Sequence, residues 1–191
     1  MRYGHRRLFE DLSFHVEPGA PLAVLGANGS GKSTLLRVLA GVLEPVGGAV
    51  RLESDVGPRV GPDVTPLVGF VAPALQFYPA FTARETLGFL ASARRLDAAG
   101  LVEATLDRVG LGGRADDRVA AFSTGMLQRL RIASALLHDP PVLLLDEPGA
   151  TLDAPGRALV AETLALADRI VVVATNDPAE AERCPRRVTL L

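Results

Sequence analysis

Tryptophan is absent from this 191-residue chain, and cysteine occurs once, at Cys184. A lone thiol forms no intramolecular disulfide and leaves no zinc-type cluster of sulfur ligands. A reducing compartment suits that composition. Long apolar runs are also lacking. The opening "MRYGHRRLFEDL" puts charges where a signal peptide needs unbroken apolar residues. Nothing further along approaches the ~20 uncharged residues of a membrane span. The expectation is a chain that does not cross a membrane by itself. Nor is charge of one sign in excess: 20 Lys and Arg stand against 22 Asp and Glu, so no general surface for nucleic acid is implied. Internal repeats and low-complexity tracts are missing, and the length suits one globular unit rather than two independent domains.

What the chain has is apolar residues, 48% of the total. Val, Leu and Ile gather at "PLAVLGA" (21–27), "LVGFVA" (67–72), "PVLLLDE" (141–147) and "RIVVVAT" (169–175). Runs so uniformly apolar predict strands covered on both faces, as in a parallel α/β sheet. Two other stretches, "RRLFEDLSFHVEPG" and "GGAVRLES", alternate apolar with polar residues and predict half-exposed antiparallel strands. Between residues 82 and 138 the spacing turns helical, with Gly110, Gly112 and Gly113 as breakers. Residues 55–66, "DVGPRVGPDVTP", are expected to form a surface loop.

The strongest chemical signal is "GANGSGKST", residues 26–34, which fits G-x-x-x-x-G-K-[ST] between a predicted strand and a predicted helix. Glycines at these positions let backbone N–H groups curl around phosphates, while Lys32 reaches the β and γ phosphates and the Ser33 hydroxyl ligates magnesium. A nucleoside triphosphate is the expected ligand of Gly26, Ala27, Asn28, Gly29, Ser30, Gly31, Lys32, Ser33 and Thr34. Next, "VLLLDEP" delivers Asp146 and Glu147 to a strand end. Two buried carboxylates need a cation or a reacting water to offset their desolvation. Alone the D-E-P could equally be a turn. Beside a phosphate loop, Asp146 reads as a magnesium ligand and Glu147 as the group that polarises the attacking water.

Two further stretches are less specific. In "FSTGMLQRLRIASALL" Ser123 can cap a helix whose free N–H groups suit an anion, with Gly125 allowing close approach. In "RIVVVATNDPAEAERC" Asp177 precedes Pro178 and has Glu180 three positions on, the pattern of an N-cap, a first-turn proline and a capping box. Asn176 is left with no structural task beyond an Asx-type turn.

In this order and spacing, the phosphate loop, "STGMLQR" and "VLLLDEPGATLD" together resemble the nucleotide-binding subunit of ABC transporters, over nearly the whole chain. The resemblance implies an α/β P-loop NTPase fold with a central, mainly parallel sheet, an antiparallel β part and a helical insertion. Residues 1–191 would be one ATPase domain, with a RecA-like core at 1–73 and 139–191 and a helical subdomain at 74–138. In that family ATP is sandwiched between two subunits arranged head to tail. Ser123, Thr124, Gly125 and Gln128 would then face the nucleotide of the opposite subunit, and Asp153, closing "ATLD", would touch that subunit. Tyr3 takes the place of an aromatic that stacks on adenine. The family usually has a strand before it, so a start at Met1 implies truncation or a missing edge strand.

Other departures bear on rate and coupling. Pro73 stands where the family has a metal-contacting glutamine, and Gln76 would substitute, completing a metal set with Ser33 and Asp146. That form is similar to haem-exporter and related small-exporter ATPases. Phe77, Tyr78 and Phe81, with Arg84 and Glu85, resemble the groove that accepts a coupling helix from the membrane subunit. "FSTGM" replaces the commoner "LSGGQ". Asn176 replaces a histidine that reaches the γ-phosphate; a neutral amide is a weaker donor than an imidazolium, so binding should survive while hydrolysis is slow.

The resemblance therefore implies a cytoplasmic ATPase subunit, peripheral at the inner face of the cell membrane. Its cofactors would be ATP and Mg2+, its catalytic residues Glu147, Lys32 and Asn176. Its partners would be a second ATPase subunit and an integral membrane transporter subunit, with no nucleic acid. Two other readings stay open: a nucleotide-binding regulator that barely hydrolyses, and a soluble family member outside transport. Those soluble members usually carry two ATPase halves or a long coiled-coil insertion, which this chain lacks.

Overall fold

In each of the four apolar runs, alternate side chains leave opposite faces of the sheet, and both faces are covered. The computed structural model describes residues 1–3, 6–53 and 57–191. In chain order its elements are β1 (Arg2–Tyr3), β2 (Arg6–Arg7), β3 (Leu22–Leu25), α1 (Lys32–Leu39), β4 (Arg51–Leu52), β5 (Arg59–Val60) and β6 (Val68–Val71). There follow α2 (Ala83–Ala93), α3 (Leu101–Arg108), α4 (Thr124–Leu136), β7 (Val142–Asp146), α5 (Ala154–Leu164), β8 (Ile170–Ala174), α6 (Pro178–Glu182) and β9 (Arg186–Thr189). The central sheet has the order β6-β7-β8-β3-β9 and every pairing in it is parallel.

One face of that sheet presents Ala23, Val71, Leu143, Leu145, Val171 and Val173 to a core shared with α2 through α5. The other presents Leu22, Val24, Leu144, Val172 and Ala174 to Leu35 and Leu36 of α1. Each such side chain contributes about 1.5–3 kcal/mol on burial. Gly69 on β6 marks the closest helix approach: a Cβ there would lie 2.3 Å from the Ala135 carbonyl oxygen and 2.8 Å from both Leu143 Cδ2 and Pro140 Cγ. Gly69→Ala should therefore destabilise the fold by about 1–3 kcal/mol, read as a lowered Tm in thermal denaturation.

The alternating stretch after β2 is not the expected strand. From residue 8 to 20 no regular pairing forms, yet Phe9, Leu12, Phe14 and Val16 pack on the α1-side core, and Arg186 on β9 donates to the His15 carbonyl at 2.8 Å. The alternation reported burial of one side, which a strand and an extended covering segment share. Among the described residues of "GGAVRLES", Arg51 and Leu52 pair, antiparallel with β5. The expected loop at 55–66 is also corrected. Within it lie β5 and most of a 3-10 turn, Gly61–Leu67, that buries Val64 and whose Thr65 hydroxyl donates to the Ala40 carbonyl at 2.9 Å. Proline and glycine there shape a packed turn. Strand β9 went unread because "RRVT" is mostly exposed edge.

The helical stretch forms as expected, with Thr82 and Glu85 making a true capping box at α2. At α6 the box does not form. Asp177 caps the Ala179 N–H at 2.8 Å, but Glu180 is buried, and its Oε1 lies 2.3 Å from where a Cβ on Gly149 would sit. Burial raises its carboxyl above the usual range. Among the described residues no helix is long and apolar enough to cross a membrane.

Candidate nucleotide site

Adjacent strands β7, β8 and β3 end at one edge of the sheet, and a parallel sheet gathers the residues that follow them. Three segments meet there: Gly26 to Gly31 after β3, Asp146 and Glu147 at the end of β7, and Thr175 to Asp177 after β8.

Lys32 is the chain's single lysine, and only 7% of it is exposed. Its ammonium donates to the Gly26 carbonyl at 2.7 Å and to Asn176 Oδ1 at 3.1 Å, and lies 3.6 Å from Glu147 Oε1. Those partners are what let a cation be buried. Glycine is needed in the loop itself: Gly26 has φ 147°, and a Cβ on it would lie 2.6 Å from both the Leu190 carbonyl oxygen and Ser30 Oγ. Gly31 enters α1 at φ 106° and no side chain caps that helix, so its first N–H groups face outward as an anion site.

Asn176 joins the three segments. Its Oδ1 accepts from Lys32, while Nδ2 donates to Asn28 Oδ1 and to Glu147 Oε1, each at 3.0 Å. The backbone N–H of Asn176 also reaches Glu147 Oε2 at 3.3 Å. The Asx turn considered for Asn176 does not form. Thr175 Oγ1 instead accepts from the Asp177 N–H at 2.9 Å, and Asp177 caps α6.

Glu147 has φ 46°, a left-handed conformation unusual outside glycine. The Ala174 carbonyl holds its N–H at 2.8 Å. This kink turns the carboxylate toward Lys32 and Asn176, and strain of this kind collects at functional sites. Asp146, 4% exposed, has its carboxyl raised by burial, partly opposed by a hydrogen bond from Ser33 and by Arg37 and Lys32. Ser33 and Asp146 thus bring two oxygen ligands together, a donor set that fits a hard cation such as Mg2+.

The helical stretch contributes Ser123, which caps α4 by accepting from the Met126 N–H at 3.2 Å. Ser123 and Thr124 are exposed and Gly125 half-buried. Gln128, one turn beyond Thr124, is buried. It is 4% exposed, donates to the Pro148 carbonyl at 3.0 Å and accepts from Arg131 at 3.1 Å. It braces the turn after Glu147 from behind. Asp153 caps α5 through the Gly156 N–H and pairs with Arg129, which holds its carboxyl below the usual range. The side chain of Tyr3 lies outside the described residues.

Pro73 lines a cleft of about 170 Å³ with Glu147, Thr124 and Gln128. Gln76 is placed elsewhere, in a second cavity of about 340 Å³ with Phe77, Tyr78 and Phe81. Gln76 is exposed there, and among the described residues no hydrogen bond joins it to Ser33 or Asp146. Arg84 and Glu85 are likewise not part of the aromatic groove. Arg84 pairs with Asp116 and Glu103, and Glu85 belongs to the α2 capping box.

Residues 9–150 match the family model described as "ABC transporter". The chain belongs to that family, among its ATP-binding subunits. Over 144 residues it is 39% identical to the Nod factor export ATP-binding protein I of Paraburkholderia xenovorans (strain LB400), covering 74% of this chain and 47% of that protein. Over 141 residues it is 34% identical to the bacitracin transport ATP-binding protein BcrA of Bacillus licheniformis, covering 74% and 46%. The chain thus spans about half the length of these relatives. A solved "ATP binding subunit of ABC transporter" superposes with TM-score 0.83 at 27% identity, over 98% of this chain and 81% of that one. A dimeric ATP-binding cassette bound to ADP and Pi gives TM-score 0.86 over 100% and 90%; at 24% identity this likeness speaks for the fold alone.

Proposed function

We propose that this chain binds ATP at the Lys32 loop, hydrolyses it in a dimer whose opposite subunit supplies the Ser123 to Gly125 face, and powers a membrane transporter subunit from the cytoplasmic side. The observation that carries the reading is the junction of Lys32, Glu147 and Asn176 beside Ser33 and Asp146.

The free N–H groups at the start of α1 and the Lys32 ammonium neutralise phosphate charge. Glu147, aimed by its backbone kink and held by Asn176 Nδ2, takes up the role of orienting and polarising the attacking water. Ser33 and Asp146 would hold Mg2+, which supplies charge neutralisation to the phosphates. The aromatic cavity on the α2 side is read as the docking groove for a helix of the membrane subunit, consistent with a relative named for bacitracin transport and others for Nod factor export.

Asn176 sets the rate. Replacing its neutral donor by imidazole adds a charge-assisted bond to the developing phosphate charge, worth about 1.4 kcal/mol, or tenfold in kcat. Asn176→His should therefore raise kcat about tenfold with KM little changed, measured as phosphate release. A fall in kcat would mean that the amide junction to Lys32 and Asn28 matters more than a cationic donor. A nucleotide-binding regulator is the better description if neither protein hydrolyses ATP while both bind it.

A further inference from the structure

Gln128 and Arg131 stand three residues apart on α4, the spacing that makes side chains neighbours on a helix surface. Their hydrogen bonds form one chain. Arg131 Nε donates to the Leu75 carbonyl at 2.9 Å and Nη1 donates to Gln128 Oε1 at 3.1 Å, while Gln128 Nε2 donates to the Pro148 carbonyl at 3.0 Å. Pro148 follows Glu147 directly. Three bonds therefore tie the backbone just after β6 to the backbone that aims the carboxylate.

The two ends of an amide are alike in shape and opposite in bonding sense. Turned over, Gln128 would set its oxygen against the Pro148 carbonyl, two acceptors with no proton between them, and a buried polar group left unmet is costly. A guanidinium carries donors alone, so with Arg131 on Oε1 the amide has one workable orientation. The cation also polarises the amide, and bonds linked in a chain strengthen one another. Leu75 anchors the far end. Its own N–H bonds the Ala72 carbonyl at 3.0 Å, which places its carbonyl on a formed turn.

The charge of Arg131 has no other use in view. It is half-buried, and burial draws its guanidinium below the ordinary value. Among the described residues it forms no ion pair. Holding a cation there has a desolvation cost that a neutral side chain would avoid. Of the residues lining the 170 Å³ cleft beside Pro73, Arg131 and Glu147 are the two that carry charge.

We infer that Arg131 is a positioning residue for hydrolysis: by fixing the Gln128 amide it holds the Pro148 carbonyl, and so keeps the Glu147 carboxylate set against Lys32 and Asn176. This rests on the reading of Glu147 as the base and adds what aims it.

The test compares full-length wild type with Arg131→Met, which removes every donor and keeps a long stem. Melting curves and nucleotide-binding stoichiometry establish that each variant is folded. In Arg131→Met kcat should fall about 10- to 100-fold, the cost of a slightly misplaced group, with KM for MgATP within twofold. Gln128→Met should act alike, and the double variant should fall no further than the lower single one, since both residues belong to one chain. If Arg131→Met melts below the assay temperature, Arg131→Lys carries the same comparison, because an ammonium lacks the fixed fork.

A second readout needs no turnover. The chain has two asparagines and two glutamines, so its side-chain amides give four resolvable 15N NH2 pairs. In Arg131→Met the Gln128 pair should shift and the Asn176 pair should shift with it, because Asn176 Nδ2 bonds Glu147 Oε1 and not Arg131. A shift confined to Gln128, or a kcat within twofold of wild type, would overturn the inference. Wild-type turnover in Glu147→Gln would instead overturn the reading of Glu147 itself, whereas lost turnover there with full kcat in Arg131→Met sinks the positioning role alone.

Discussion

Glu147→Gln should reduce ATP turnover by about 10²–10⁴-fold, the range of a lost general base, while nucleotide affinity stays within a few-fold of wild type. The substitution keeps the size of the side chain and an oxygen able to accept from Asn176 Nδ2, now at 3.0 Å from Oε1. What disappears is the negative charge near Lys32 Nζ, at 3.6 Å, and with it any affinity for the proton of an attacking water. The ammonium keeps the Gly26 carbonyl and Asn176 Oδ1, so the phosphate loop should hold its form. Phosphate release and equilibrium binding of a fluorescent ATP analogue, measured on the same preparation, separate the two effects. Turnover at the wild-type rate would remove Glu147 from the role of base.

Lys32→Ala should act on binding first. It deletes the only lysine and the only cation bonded directly to this loop among the described residues. A charge-assisted hydrogen bond to phosphate in a partly buried site is worth about 2–4 kcal/mol, so MgATP affinity should fall roughly 30- to 1000-fold by calorimetric titration. Lys32→Arg should not restore it, because a planar guanidinium does not fit a pocket built around a point charge bonded to Gly26 and Asn176. Full affinity in Lys32→Ala would mean that the backbone donors suffice.

How much of this was legible in the sequence depends on the kind of signal. The four apolar runs became β3, β6, β7 and β8 because burial on both faces leaves an unmistakable composition. Strand β9 and the stretch from 8 to 20 lack that composition: one is a polar edge and the other covers the core without pairing. The phosphate loop and the Asp146-Glu147 pair were readable since their residue types and spacing follow from chemistry. Their junction was not. Yet a signal existed: Asn28 and Asn176 are the only asparagines in the chain, Lys32 the only lysine, and all three share one hydrogen-bond network. The setting of Gln76 in the aromatic cavity was not legible, because spacing along the chain says nothing of the turn between Pro73 and α2. The burial of Gln128 was not legible either, because position on a helix does not reveal which face is buried until α4 is packed against the β7 turn.

The central claim is that two copies of this chain build a working hydrolytic site. Phosphate release from MgATP, measured with wild-type protein over a wide range of protein concentration, tests it most directly. A composite site gives a rate per subunit that climbs with concentration and levels off as dimers fill, with no such climb in Glu147→Gln. A rate per subunit that stays constant across the range would contradict the composite site, and bound nucleotide with no release at any concentration would contradict hydrolysis by this chain.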